Sequence, residues 1–397
     1  MSGQVANVYK QGVLAAQLER VGDDIKFAYL PDYLAAGLPE VATTLPLTSE
    51  PVLTSGGSAP AFFAGLLPEG RRLAAVASRL KISRDNDLGL LLEIGADLIG
   101  DTQVLPIDAD PLAERPPVLL PGDLAGVDFV VLREQVFGSK ASGLPGVQDK
   151  ISSRMLNVPA KMADTDFILK LNPADMPLVV ENEAFFLALA AKCGIATAPF
   201  ELLTDSHGAH ALRLQRFDRH GRGAGKSRLA AEDGCQVLGR YPVAKYELEY
   251  IDVAKALIAL CPARGVAGYE LFKQLVFAWL TGNGDVHAKN LSVLQTTTGE
   301  WRVAPAYDLL CTVFYDNDTS MALPLFGKKT GWSRQLMLAA AAEMYVPQKA
   351  AEKVIDRQLK VLANLPAQIR AGVLPYEANP IRKTANQLEH RAEMIKS

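Results

Sequence analysis

Hydrophobic and polar positions change rhythm along the chain. QVANVYKQ (4–11) and LAAQLER (14–20) are short apolar-rich runs on either side of Gly12, which predicts a hairpin. SAPAFFAGLLPEGRRLAAVASRL (58–80) shifts to helical spacing, interrupted at Pro68. PIDADPLAERPPVLLPGD (106–123) predicts a boundary, because proline removes a backbone donor and disfavours helix continuation. The next runs predict strands: DFVVLREQV (128–136), KISSRML (150–156), DFILKL (166–171), FELLT (200–204) and HALRLQRF (210–217). One helix interrupts them, VENEAFFLALAAKCG (180–194), with Gly194 at its C-terminal cap and Lys192 complementing the dipole of the last turn. After about residue 245 the spacing is helical, in YIDVAKALIAL, YELFKQLVFAWL, SRQLMLAAAAEMY, PQKAAEKVIDRQLKVLANLP and NQLEHRAEMI.

These shifts divide the chain into an N-terminal subdomain (1–110), a strand-rich unit (111–235) and a helical unit (236–397). The order predicts an α+β class with two lobes and a cleft between them. With 397 residues, 49% apolar and 21% charged, the chain has the composition of a soluble globular protein. Its formal charge of −3 gives no reason to expect non-specific nucleic-acid binding, and the basic stretch RHGRGAGKSR (219–228) is glycine-rich enough to predict a solvated loop. Cys193, Cys235, Cys261 and Cys311 are scattered without a CxxC pair, which argues against a zinc site or a disulfide framework. The N-terminus lacks the pattern of a signal peptide, and LFKQLVFAWL (271–280) is too short to span a bilayer. A cytoplasmic protein without a membrane partner is expected.

Chemistry concentrates in TGNGDVHAKNLSVLQTTTGEWRVAPAYDLL (281–310). A helix ends near Leu280, and a loop follows with Asp285, His287, Lys289 and Asn290. A hairpin, LSVLQ and WRVAP joined by TTTGE, then delivers Asp308. Phosphoryl transfer needs one carboxylate to take the proton of an attacking hydroxyl, and an amide oxygen with a second carboxylate to hold magnesium on the phosphates. In protein kinases four residues separate the base Asp from the metal Asn, and a hairpin leads to the metal Asp. Asp285, Asn290 and Asp308 repeat that order, so ATP and Mg2+ are the expected cofactors. Asp285 and Asn290 alone would equally suit turn caps; Asp308 beyond the hairpin makes the kinase pattern specific. His287 contacts phosphate or fixes the loop, and Lys289 neutralises phosphate or lies exposed.

DFILKL places Lys170 inside an apolar strand, where an unpaired ammonium is costly and a phosphate contact would explain it; snorkelling from an edge strand is the alternative. The following helix offers Glu181 and Glu183 as ion-pair partners. In SGLPGVQDK (142–150), Gly143 and Gly146 would let backbone N–H groups approach phosphate, with Lys150 adding charge, or the stretch is a plain hairpin loop. LQRFDR (214–219) closes the strand-rich unit where a hinge belongs, with Gln215, Arg216 and Phe217 offering backbone groups to adenine and Asp218 near the ribose.

The ordered motifs FFAGLLPEG (62–70), LLEIGADLIG (91–100), LPGVQDK (144–150), FILKL (167–171), NEAFFLALAAKCGI (182–195), QRFDR (215–219), EDGCQ (232–236), GDVHAKN (284–290) and Tyr307–Asp308 run through nearly the whole chain. In them the sequence resembles the HipA family of bacterial serine/threonine kinases, toxin components of HipBA-type modules. The resemblance implies a two-lobed protein-kinase-like fold: a strand-rich N-terminal lobe with an extra N-terminal subdomain, and an all-helical C-terminal lobe. It implies Asp285 as base, Asn290 and Asp308 as magnesium ligands, and Lys170, Gly146 and Gln148 on the phosphate side. Ile99 and Ile168 would line the adenine pocket, residues 215 to 217 would form the hinge, and Gln236 and His287 would lie near the site. It further implies a HipB-like helix-turn-helix antitoxin, through which operator DNA is contacted, and a protein substrate of the aminoacyl-tRNA synthetase type whose phosphorylation arrests growth.

Two departures stand out. The family's self-phosphorylated serine lies three residues before the glycine matched by Gly146; that slot is Gly143 here, leaving Ser142, or more distantly Ser139, as the candidate. The family's DGH-type loop is GDVH, with Val286 in place of a small residue. Two other functions compete. A small-molecule kinase of the aminoglycoside or choline kinase type shares a GDLHPGN-like loop, although Asn283 stands where those enzymes carry histidine. A catalytically idle partner of a DNA-bound antitoxin is the other, but it has no chemical need for Asp285, Asn290, Asp308 and Lys170 together.

Overall fold

The structure, a computed structural model, describes residues 4–111, 118–119, 126–137, 156–162, 165–221 and 226–396. The expected hairpin around Gly12 forms from β1 (Val5–Lys10) and β2 (Val13–Val21). With β3 (Asp24–Tyr29), β4 (Val52–Thr54) and β5 (Thr102–Pro106) it builds an antiparallel sheet in the order β4-β3-β2-β1-β5. Alternation along β3 buries Ile25, Phe27 and Tyr29. They share a core with Phe63 of the helix Ala61–Leu66 and with Leu88 and Leu91 of the helix Asp87–Ile94.

The second sheet contains β6 (Val118–Leu119), β7 (Leu156–Met162), β8 (Thr165–Leu171), β9 (Phe200–Thr204) and β10 (His210–Gln215), in the order β6-β7-β8-β10-β9. Period two decides what each face does. Phe167, Leu169 and Leu171 of β8 enter one core with Phe129, so Ile168 and Lys170 point to the opposite face. On β10, Ala211 joins that first core, whereas Leu212 and Leu214 pack with Phe186 and Leu187 of the helix Val179–Lys192.

DFVVLREQV, expected as a strand, is the helix Phe129–Phe137. Asp128 Oδ1 accepts from the N–H groups of Val130 (2.8 Å) and Val131 (3.0 Å), and Asp205 Oδ2 takes the N–H of Phe129 at 2.8 Å. These contacts satisfy first-turn donors and outweigh the strand preference of the paired valines. The loop 219–228 is likewise not simply solvated. Arg219 and Arg228 lie in β11 (Arg219–His220) and β12 (Ser227–Arg228), and both turn inward.

Helices dominate the C-terminal part: Tyr250–Leu260, Arg264–Thr281, Arg334–Glu343, Gln348–Leu362 and Ala378–Lys396. From Leu271 to Thr281 every residue of the second of these is buried, which makes it the axis of the lobe. It stops at Gly282, whose φ of +68° suits glycine, while Asn283 N–H returns to Ala278 O at 2.9 Å. The expected hairpin forms from β14 (Ser292–Gln295) and β15 (Trp301–Val303). A third strand, β13 (Ala231–Asp233), pairs with β14. Residues 231–235, placed by sequence at the end of the strand-rich unit, therefore attach to the helical lobe, and the helix Gly234–Val237 crosses the expected boundary at 235/236. Among the described residues, no helix is long and apolar enough to cross a membrane.

Candidate active site

The three units meet around a cavity of about 320 Å³, a size typical of small-molecule sites. The strand lobe contributes Pro159, Ile168, Lys170 and Leu214 to Asp218; the helical lobe contributes Gln236, His287, Asn290 and Asp308. The N-terminal subdomain closes the remaining side with Gly65 to Glu69, Arg72, Ile94 and Asp97 to Ile99. Ile99 and Ile168 thus line the same cavity, Ile99 from a 43% exposed position.

Lys170 Nζ donates to both carboxylate oxygens of Glu183, at 2.7 and 2.8 Å, and also ion-pairs with Asp308. The lysine is 4% exposed and Glu183 wholly buried. Burial opposes the charge on Lys170, but Asp308 and Glu183 outweigh it and raise its pKa. Burial pushes Glu183 up to about 7, against the opposing pull of Lys170. The other candidate, Glu181, bonds His210 Nδ1 at 2.8 Å and Asn172 at 2.9 Å. Residues two apart on a helix face different directions, so one of the two glutamates had to be lost to Lys170.

Asp308 sits in the left-handed region with φ of +54°, uncommon for a residue with a side chain. Every polar part of it is held. Its N–H donates to Glu183 Oε1 (3.1 Å), its carbonyl accepts from Asn283 Nδ2 (3.2 Å), and its Oδ2 accepts from Asn290 Nδ2 (3.0 Å). Such over-determination is what sustains an unfavourable backbone conformation. Asn283 Oδ1 also accepts from the N–H of Asp285 at 3.2 Å, so one amide pins both acidic residues.

Asp285 is 5% exposed, lies outside the cavity wall, and accepts from the Tyr246 hydroxyl at 3.1 Å. His287 begins the 3₁₀ turn Ala288–Asn290 in a reciprocal cap with Asn290, whose Oδ1 accepts the His287 N–H at 3.0 Å. His287 therefore fixes the loop while still lining the cavity. Lys289 is not exposed: it lines the cavity and bonds Asp233 (2.6 Å) and the Gly65 carbonyl (2.8 Å). Burial alone would lower its pKa, but Asp233 and Glu69 hold it above the ordinary lysine value.

The hinge segment departs from expectation at Asp218. Its carboxylate does not stand ready for a ribose: Arg216 reaches it at 2.7 and 3.0 Å, Arg219 at 2.7 Å and the Gly100 N–H at 2.8 Å. Arg216 and Arg219 also hold Asp97 and the Leu98 carbonyl, so this cluster locks the N-terminal subdomain to the hinge. Phe217 stacks on Tyr307, and Gln215 is exposed beside the cavity. The Gln236 amide is occupied too, donating to Phe62 O at 3.0 Å and capping Asp233. Asp233, Glu69, Lys245, Tyr246 and Asn283 escaped the sequence analysis as site residues. The D-x-x-Q capping spacing within EDGCQ was the one local signal. Ser139, Ser142, Gly143, Gly146, Gln148 and Lys150 lie outside the described residues.

The donor set fits magnesium and a nucleotide. Asn290 and Asp308 bring hard oxygen-bearing groups within hydrogen-bond reach of one another, beside a buried ammonium and a cavity. A ligand role for Asn290 beside Asp308 needs its amide turned, because Nδ2 is the atom that faces the Asp308 carboxylate.

Residues 6–105 match the HipA N-terminal domain, and residues 142–365 match the HipA-like C-terminal domain. The chain belongs to the HipA family. Among HipA relatives, a kinase candidate of Sinorhizobium fredii, Y4mE, is 35% identical over 83% of this chain and 82% of its own length. The serine/threonine-protein kinase toxin HipA of Shewanella oneidensis is 25% identical over 75% of this chain and 72% of its own. A solved structure of Shewanella oneidensis HipA with HipB and operator DNA has a TM-score of 0.75 at 21% identity, covering 98% of this chain and 97% of that one. That likeness bears out the two-lobed α+β fold with its additional N-terminal subdomain.

Proposed function

We propose that this HipA-family protein is an ATP- and Mg2+-dependent protein serine/threonine kinase acting as a toxin. The observation that carries the reading is the convergence of Lys170, Asn290 and Asp308 on one cavity, with Glu183 bonded behind Lys170 and with Asn290 five residues after Asp285 in the same loop. ATP with Mg2+ would supply the phosphoryl group. Lys170, held charged by Asp308 and Glu183, would orient the phosphates, and Asn290 with Asp308 would hold the metal. Asp285 would accept the proton of the attacking hydroxyl. The N-terminal subdomain forms part of the cavity wall, a feature the small-molecule-kinase alternative does not call for.

The substrate class we infer is a translation component such as an aminoacyl-tRNA synthetase, and the partner a HipB-like helix-turn-helix antitoxin that carries the operator contacts. The family resemblance supports both. Self-phosphorylation at Ser142 belongs to the same proposal; adding about two negative charges beside the phosphate loop would reorder it and oppose ATP binding.

Incubation of a bacterial lysate with the protein and γ-labelled ATP tests the activity. Label should enter protein, and Asp285→Asn and Asp308→Asn should each abolish it while circular dichroism stays unchanged. Full activity in both variants would refute the assignment, and label confined to metabolites would favour a small-molecule kinase. Intact-protein mass spectrometry after Mg-ATP treatment tests Ser142: no added phosphate, or phosphate mapped elsewhere, removes that part.

A further inference from the structure

One contact of Asp285 comes from outside its own loop. Tyr246 ends the 3₁₀ turn Pro242–Tyr246, and its hydroxyl donates to Asp285 Oδ1 at 3.1 Å. The phenol meets the His287 ring edge-on, with centroids 5.1 Å apart and 80° between planes. Lys245 folds over the same phenol, its ammonium 5.1 Å from the ring centroid, and ion-pairs with Glu69 of the N-terminal subdomain. Both Lys245 and Asp285 are buried.

We propose that Tyr246 is a positioning residue for Asp285, and that Glu69 acting through Lys245 secures it from the N-terminal subdomain. The proposal rests on Asp285 being the base. A carboxylate turns freely about its last bond unless a donor fixes one oxygen, and fixing one oxygen fixes the direction of the other. A general base works only within hydrogen-bond reach of the proton it takes. Tyr246 supplies that orientation. His287 limits the ring from the edge, and the Lys245 ammonium holds it from the face while drawing electron density from the phenol, which makes the hydroxyl a better donor. Lys245 in turn stays over the ring because Glu69 anchors it.

Tyr246→Phe removes the hydroxyl and keeps the ring. Initial rates of label transfer from γ-labelled ATP to lysate protein, across ATP concentration and pH, should show a maximal rate lowered about 10- to 100-fold. The KM for ATP, and the Kd of a non-hydrolysable ATP analogue by calorimetry, should stay within about twofold of wild type. The acid limb of the rate profile should move to higher pH, because the anionic base has lost a donor. Glu69→Gln should shift the maximal rate in the same direction by a smaller factor. A wild-type maximal rate in Tyr246→Phe would overturn the proposal. So would a rate loss matched by an equal loss of analogue binding, which marks general disruption. Phosphate found on Tyr246 by mass spectrometry would also overturn it, making the hydroxyl an acceptor. Wild-type protein that binds the analogue but labels nothing would defeat the kinase reading beneath it, a result separable from all of these.

Discussion

Lys289 Nζ donates at 2.8 Å to the backbone carbonyl of Gly65, a residue 224 positions earlier in the chain. The same ammonium bonds Asp233 at 2.6 Å, so a single cation ties the 284–290 loop to the N-terminal subdomain and to the strand that enters the helical lobe. Lys289→Met should destabilise the protein by about 3 kcal/mol, because Asp233 is left buried without its cation. Phosphotransfer should fall without vanishing, since Asp285, Asn290 and Asp308 remain. Urea unfolding of Lys289→Met, Asp233→Asn and the double variant checks this, with the double variant costing much less than the sum of the singles.

Lys170 and Glu183 differ in what their loss leaves behind. Lys170→Met strands a wholly buried Glu183 and an Asp308 already held in a left-handed backbone. It should abolish transfer and cost about 3–5 kcal/mol. Glu183→Gln keeps the Lys170–Asp308 pair and a hydrogen-bonding side chain of the same shape. It should lower activity about 10- to 100-fold with a smaller loss of stability. Labelled-ATP assays and denaturant midpoints on both variants decide between these ranks.

Local signals carried much of this structure, and long-range ones did not. Period-two burial put Lys170 on the cavity face of β8, and turn composition set the hairpin between Asn290 and Asp308, so both were legible. The helix Phe129–Phe137 was missed because paired valines read as strand, while Asp128 and Asp205 supply caps from either side of the chain. Choosing Glu183 over Glu181 depended on which helix face meets β8, a tertiary fact. Asp218 looked available to a ligand because its sequence neighbours Arg216 and Arg219 were not seen to close on it. Lys289 with Gly65, and Lys245 with Glu69, join residues from opposite ends of the fold, and no pattern within either segment announces the other.

Gly282 ends the axial helix with φ of +68°, and a Cβ there would come within 2.8 Å of Val313 and 3.0 Å of Leu388. Gly282→Ala therefore combines backbone strain with crowding in the core. A loss of about 2–4 kcal/mol is expected. Because Asn283 follows directly and holds both Asp285 and Asp308, transfer activity should drop alongside stability. Thermal unfolding and a labelled-ATP assay at a temperature where the variant is folded separate the two effects.

Asp218 gives the protein a specific acid sensitivity. Burial opposes its charge, but Arg216 and Arg219 hold its pKa down to about 2. In the unfolded chain it titrates near 3.9. A depressed folded value means the stabilisation is fully present above about pH 4 and is lost as pH falls toward about 2. A difference of roughly two units corresponds to about 2.6 kcal/mol. Urea unfolding of wild type and Asp218→Asn between pH 6 and pH 2.5 measures it. The variant should be less stable at pH 6, where two buried guanidiniums lose their shared carboxylate. The gap should then narrow as pH falls from about 4 to 2.5, because Asp218 takes up its proton more readily in the unfolded chain than beside the arginines. A gap that stays constant over that range would mean that the arginines do not hold this carboxylate ionised.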